Sequence, residues 1–147
     1  MRAQYFFTAT VVTLLTALAL GGALAQGQTT KPSRILITGL VDGEEVEKLM
    51  PPNGFITKKG DFDKLWKAWL LQEKVPEVDF KTSLVVVATS RKGPIKAAVL
   101  VDEKKTGDMK IKVELERQTE GKGLQVLIAV FPRAGIKTIE GKVIADK

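Results

Sequence analysis

Two strand-length stretches stand out past residue 25 as the most apolar of this chain. One is Leu84-Val85-Val86-Val87-Ala88 and the other runs from Leu124 to Phe131, interrupted only by Gln125. A strand with one wet face alternates apolar and polar residues, whereas an unbroken apolar run of this length has both faces covered. Any fold of this chain must therefore cover both sides of both strands. The intervening sequence is also β-like. Arg91-Lys92-Gly93-Pro94 reads as a turn, Ile95 to Val101 as a strand, and Lys104-Lys105-Thr106-Gly107-Asp108 as a second turn. Met109, Ile111, Val113 and Leu115 then alternate with Lys110, Lys112, Glu114 and Glu116, so this strand has one wet face and one held to the core. After a polar loop from Arg117 to Gly123 comes the second apolar run, and Pro132 to Gly135 leads into a last short strand, Ile136 to Ile139.

Short connections favour antiparallel neighbours, so residues 83–131 read as a four-strand meander. A plain meander would leave its two most apolar strands as edges. The expectation is that the C-terminal strand covers 124–131, and that an N-terminal strand or a helix covers 83–89. The fold class that follows is α+β, mainly antiparallel, either a curled sheet or a small sandwich with one amphipathic helix packed on it.

That helix is predicted from about Asp61 to Leu71, with Asp61 as its N-cap after Gly60. Phe62, Leu65, Trp66, Trp69 and Leu70 fall on one stripe, with Asp63, Lys64 and Lys67 opposite. Both tryptophans are expected to be buried as core-facing anchors. Asp42 to Pro52 reads as a surface excursion ended by Pro51-Pro52, and Phe55-Ile56-Thr57 as a short extended piece.

The 147 residues include no Cys and no His. Disulfides, thiolate nucleophiles, Cys-ligated metals, imidazole acid/base catalysis and HExxH sites are excluded by that fact alone. The remaining candidates are weak. Asp61-x-Asp63 and Asp42-Gly43-Glu44-Glu45 lack the spacing of a calcium loop. Ser83 and Ser90 lie near Lys81, Arg91 and Lys92, but with neither an SxxK spacing nor a GxSxG elbow. The basic pairs Lys58-Lys59, Arg91-Lys92 and Lys104-Lys105 lie in turns without interleaved aromatics, so the stacking half of a nucleic-acid site is missing. No cofactor, metal or nucleic acid is expected.

The first 25 residues read as a cleaved export signal, with an uncleaved membrane anchor as the rival reading. Arg2 supplies the positive end, an apolar stretch from Tyr5 reaches Leu20, and Ala23-Leu24-Ala25 forms a small-residue cleavage site before Gln26. The expected location is thus the periplasm or the exterior, with membrane contact only during export. Residues 26–33 read as a flexible linker and 34–147 as one domain. From Gln26 onward, 22 basic side chains stand against 17 acidic ones, a net charge of +5 that permits attraction to anionic polymers.

Four segments carry a resemblance. Gly54-Phe55-Ile56-Thr57, Asp61-Phe62-x-x-Leu65-Trp66-x-x-Trp69, Pro76-Glu77-Val78-Asp79-Phe80 and Leu84-Val85-Val86-Val87-Ala88 together resemble a family of small secreted bacterial domains of uncharacterised role. Its members end in something like Ile136-Lys137-Thr138-Ile139-Glu140-Gly141-Lys142. More distantly the chain is similar to the C-terminal domain of the protease-complex subunit PrcB. It departs from that pattern at Lys92-Gly93-Pro94-Ile95-Lys96-Ala97, where PrcB-like domains carry a Gly-Gly-Tyr-type segment. The resemblance implies a β-rich α+β fold and association with a protein.

The reading is a non-enzymatic binding or assembly module of the bacterial envelope, with an envelope protein as partner. A polyanion-binding protein and a hydrolase lacking His and Cys are the alternatives. The candidate interaction residues are Lys110, Lys112, Glu114 and Glu116, whose two-sign face could orient a partner, and Asp79, a carboxylate between Val78 and Phe80 that could also serve only to cap a turn. Intact-mass measurement of the exported protein should place its N-terminus at Gln26, and a mass retaining residues 1–25 would refute the cleavage site.

Overall fold

The computed structural model describes residues 27–41, 47–69, 74–118 and 123–144. The segment read as an export signal, residues 1–25, lies outside these residues. The two apolar runs form β4 (Ser83–Ser90) and β7 (Leu124–Pro132). They pair antiparallel in unbroken register from Ser83↔Pro132 to Ser90↔Gln125. Around them assemble β2 (Arg34–Val41) and β3 (Phe55–Ile56), giving a four-stranded sheet in the order β2-β7-β4-β3. A second sheet takes β1 (Gln28–Thr30), β5 (Ile95–Asp102), β6 (Asp108–Leu115), β8 (Thr138–Ile139) and β9 (Lys142–Val143), in the order β1-β5-β6-β8-β9. All described pairings are antiparallel except β6 with β8. The single described helix of any length, α1, spans Lys59–Trp69.

The two apolar strands fill the middle layer of three. Leu84, Val86 and Ala88 of β4, with Leu127, Ala129 and Phe131 of β7, meet Ala98, Leu100, Met109 and Ile139 of the second sheet. The alternate residues Val85, Val87, Ile128 and Val130 meet Phe62, Leu65 and Trp66 of α1, together with Phe80. Each Val, Leu, Ile, Met or Phe side chain buried in this way contributes about 1.5–3 kcal/mol relative to exposure. Phe62 anchors the second cluster, with tilted ring contacts to Trp66 at 5.6 Å and Phe80 at 5.8 Å.

Several expectations are corrected. The chain forms two sheets, not one curled sheet, and residues 83–131 are not a meander. β5 pairs with β6, while β4 and β7 pair with each other across that hairpin. A meander would have separated β4 from β7, whereas their pairing lets one hairpin and one helix cover both apolar strands together. The cover of 124–131 comes from the other end of the chain, whereas 83–89 is covered as expected, by N-terminal β3 at its edge and by α1 on one face. N-terminal β2 flanks β7, and C-terminal β8 joins β6 in the other sheet. Residues 28–30, read as linker, form β1 on the edge of β5, because backbone pairing needs no apolar side chain.

Helix α1 begins two residues earlier than predicted. Asp61 is therefore in its first turn, where a carboxylate still complements the helix dipole, and does not act as the cap. Trp66 is 2% exposed, but Trp69 is only half-buried. Val113 is 39% exposed instead of held to the core. The cause is that β8 pairs only with Asp108 and Met109, so the later part of β6 is a sheet edge. Denaturant titration should find Trp66→Ala destabilising by about 3–5 kcal/mol, with Trp69→Ala distinctly milder. Trp66→Phe should cost less than Trp66→Ala, since it keeps a ring and removes an Nε1 that is buried without a hydrogen-bond partner among the described residues. Equal losses at both tryptophans would contradict this packing.

Candidate functional site

At the β3 side of the first sheet the chain leaves a cleft of about 540 Å³, a size typical of sites that enclose a small ligand or a few side chains. Its walls are α1, β3, residues 48–53 and Val143 of β9. Pro51-Pro52 follows the end of the helical residues Glu47-Lys48 and bars their continuation, and the turn after it is closed by a hydrogen bond from Gly54 N–H to Pro51 O at 2.9 Å. Gly54 has φ +73°, and its carbonyl accepts from Val87 N–H at 2.9 Å, which ties the turn to β4. A Cβ here would crowd Ile111 as well as strain the backbone. At the other end of the segment, Glu47 is ion-paired with Arg91 in the β4–β5 turn.

The floor of the cleft is apolar, formed by Met50, Phe55, Ile56 and Leu65. Leu49 and Val143 stand at its walls 51% and 75% exposed, so the apolar lining extends to the mouth of the cleft. The charged lining is Lys48, Lys58 and Lys64 against a single carboxylate, Asp61. Ammonium groups over an aliphatic floor suit a ligand that combines an apolar body with negative charge.

The residues singled out from sequence fall elsewhere. Lys110, Lys112 and Glu114 do share the outer face of β6, but each already has a partner. Lys110 and Lys112 both reach Glu103, at 3.3 and 2.9 Å, and Glu114 takes Lys96 at 2.8 Å. Glu116 lies just past the strand, its backbone N–H donating to Pro94 O. Asp79 is built into the turn before β4. Its carboxylate accepts from Lys81 N–H at 3.0 Å and from the Thr82 hydroxyl at 2.9 Å, so it does the work of a turn cap. Ser90 Oγ accepts from Lys92 N–H in the same way.

Sequence reading overlooked two things. One is the cleft, whose only signal was an apolar Leu49-Met50 inside a polar excursion. The other is Asp102, which ends the apolar β5 just before Lys104-Lys105-Thr106-Gly107. Its side chain is buried. The turn curls around it, with Lys105 at φ +55° and Gly107 at φ +87°, so that Thr106 and Gly107 donate at 3.0 and 2.7 Å. Burial raises the Asp102 pKa, but the backbone N–H groups of Gly107, Thr106, Lys104 and Lys105 outweigh it and hold the pKa below its ordinary 3.8. Asp108 is also held low, chiefly by the Thr138 hydroxyl at 2.5 Å and the Gly141 N–H at 3.1 Å. Glu103 is lowered by Lys112 and Lys110.

No protein-family model, no curated protein and no solved structure matches the chain.

Three depressed carboxylates give a definite pH dependence. Their stabilisation is complete above their ordinary values of 3.8 for Asp and 4.5 for Glu, and is lost as pH falls through the lower folded values. The thermal midpoint should therefore hold near neutrality and drop in acid. Asp102→Asn should lower the midpoint at neutral pH and flatten the acid limb. An acid limb unchanged by that substitution would remove Asp102 from the account.

Proposed function

We propose that the chain is an exported, non-catalytic binding module of the bacterial envelope, which associates with a partner protein through the cleft beside β3. The observation that supports this most is the pairing of an apolar floor with a lysine-rich rim. An acidic segment of a partner carrying one or two apolar side chains satisfies both features. A purely polyanionic ligand would use the lysines and leave Leu49, Phe55 and Val143 without contact. Association with a protein is also what the resemblance to PrcB-like domains implies.

The outer face of β6 keeps a subordinate place in this reading. Charges already paired on a surface contribute little to affinity, but their pattern can steer encounter and register. Pull-down of the protein from envelope extract should recover a partner whose capture falls sharply in Lys48→Glu/Lys58→Glu/Lys64→Glu. Reversing Lys110, Lys112, Glu114 and Glu116 should slow association without abolishing capture. Raising salt should weaken capture of such a mixed partner, but less steeply than it weakens a purely polyanionic complex. Full capture by the triple variant would overturn the cleft as the interface.

A further inference from the structure

The opposite edge of the same sheet carries a separate inference. β2 spans eight residues, Arg-Ile-Leu-Ile-Thr-Gly-Leu-Val, and pairs on one side with β7. Among the described residues no strand pairs with its other side. A long free edge presents a row of backbone N–H and C=O groups that invites another strand, and proteins usually guard such edges with charge or with brevity. The other edges here follow that habit. β3 and β9 have two residues each and β1 has three, while the uncovered part of β6 carries Lys110, Lys112 and Glu114. β2 has one charged residue, Arg34, whose guanidinium is drawn aside to donate to Glu77 O at 2.6 Å.

The register supplies the occupant. A bulge between Ile35 and Ile37 skips one position, so Ile35, Thr38 and Leu40 stand opposite Ala129, Leu127 and Gln125 of β7. Those three β7 residues alternate on one face, and Thr38 lies two register positions from each neighbour. The bulge has thus brought Ile35 and Leu40 to equal distances from Thr38 on a single face. Both are aliphatic and largely exposed, 51% and 57%. If two copies of β2 pair antiparallel with Thr38 on the two-fold axis, Ile35 of each copy meets Leu40 of the other, and the threonines meet at the centre.

We propose that β2 is a self-complementary edge through which two copies of this chain pair, joining their four-stranded sheets into one of eight strands. The partner is a second copy, because the apolar positions match under two-fold symmetry and no like charges oppose each other near the axis.

Cross-linking tests this directly, since the chain contains no cysteine. Residues facing each other across an antiparallel pair have Cα atoms about 4.5–5.5 Å apart, within the span of a disulfide. Thr38→Cys should therefore oxidise to a covalent dimer at least roughly tenfold faster than Lys67→Cys, placed on the exposed side of α1. Sedimentation should show a concentration-dependent dimer for the unmodified protein. Ile35→Lys/Leu40→Lys should be monomeric with an unchanged thermal midpoint. A protein that remains monomeric into the high micromolar range overturns the proposal, including the case in which this edge takes a strand from another protein. So does a dimer that survives the double substitution in folded protein, or one that cross-links equally through position 67.

Discussion

The pairing of β4 with β7 is the constraint from which the rest of the architecture follows. Eight register positions join two strands that have no face suited to water. Once they are paired, the chain needs one layer against Leu84, Val86, Leu127 and Phe131, and another against Val85, Val87, Ile128 and Val130. The β5–β6 hairpin supplies the first, with Ala98, Leu100 and Met109 buried against those side chains. Helix α1 supplies the second because its apolar stripe is just wide enough for Phe62, Leu65 and Trp66. Placing the hairpin between β4 and β7 in sequence, yet in a different sheet in space, is the topological consequence.

The outer sheet depends more on polar bonds than on bulk. β8 pairs with only two residues of β6, so its position is secured by Asp108, which receives the Thr138 hydroxyl and the Gly141 N–H, and by Glu140, whose carboxylate accepts from Ile111 N–H at 2.8 Å. Glu140 and Gly141 both have positive φ, as a two-residue hairpin between β8 and β9 requires. This hairpin carries Val143 to the wall of the cleft. The cleft is therefore shaped jointly by the middle sheet, the helix and a C-terminal hairpin held by side-chain oxygens.

The two sides of the middle sheet offer different chemistry. At β3 a short edge, a proline-stiffened segment and three lysines make a concave site that is apolar within and positive at its rim. At β2 a long, nearly uncharged edge offers backbone hydrogen bonds and two symmetric aliphatic contacts. Because these lie at opposite ends of the strand order, occupation of one leaves the other accessible. A pair of copies joined through β2 would present two clefts.

The sequence by itself determined the elements whose signal is local. Continuous apolar runs specified the two doubly covered strands, alternation specified the wet face of β6, and a 3.6-residue stripe specified the helix to within two residues. The role of Asp79 as a turn cap was also readable, since a carboxylate next to a turn finds N–H donors a few residues away. What only the tertiary structure decided were the pairings between distant segments. Nothing local says that β7 prefers β2 and β4 to its neighbour β6, or that Gln28–Thr30 will add to β5, because backbone pairing is indifferent to sequence and is selected by how many apolar faces it covers at once. The cleft was hidden for the same reason. Leu49, Phe55 and Leu65 lie within one short stretch, but only the fold of that stretch back on itself, and the hairpin that brings Val143 from far along the chain, makes them line one space.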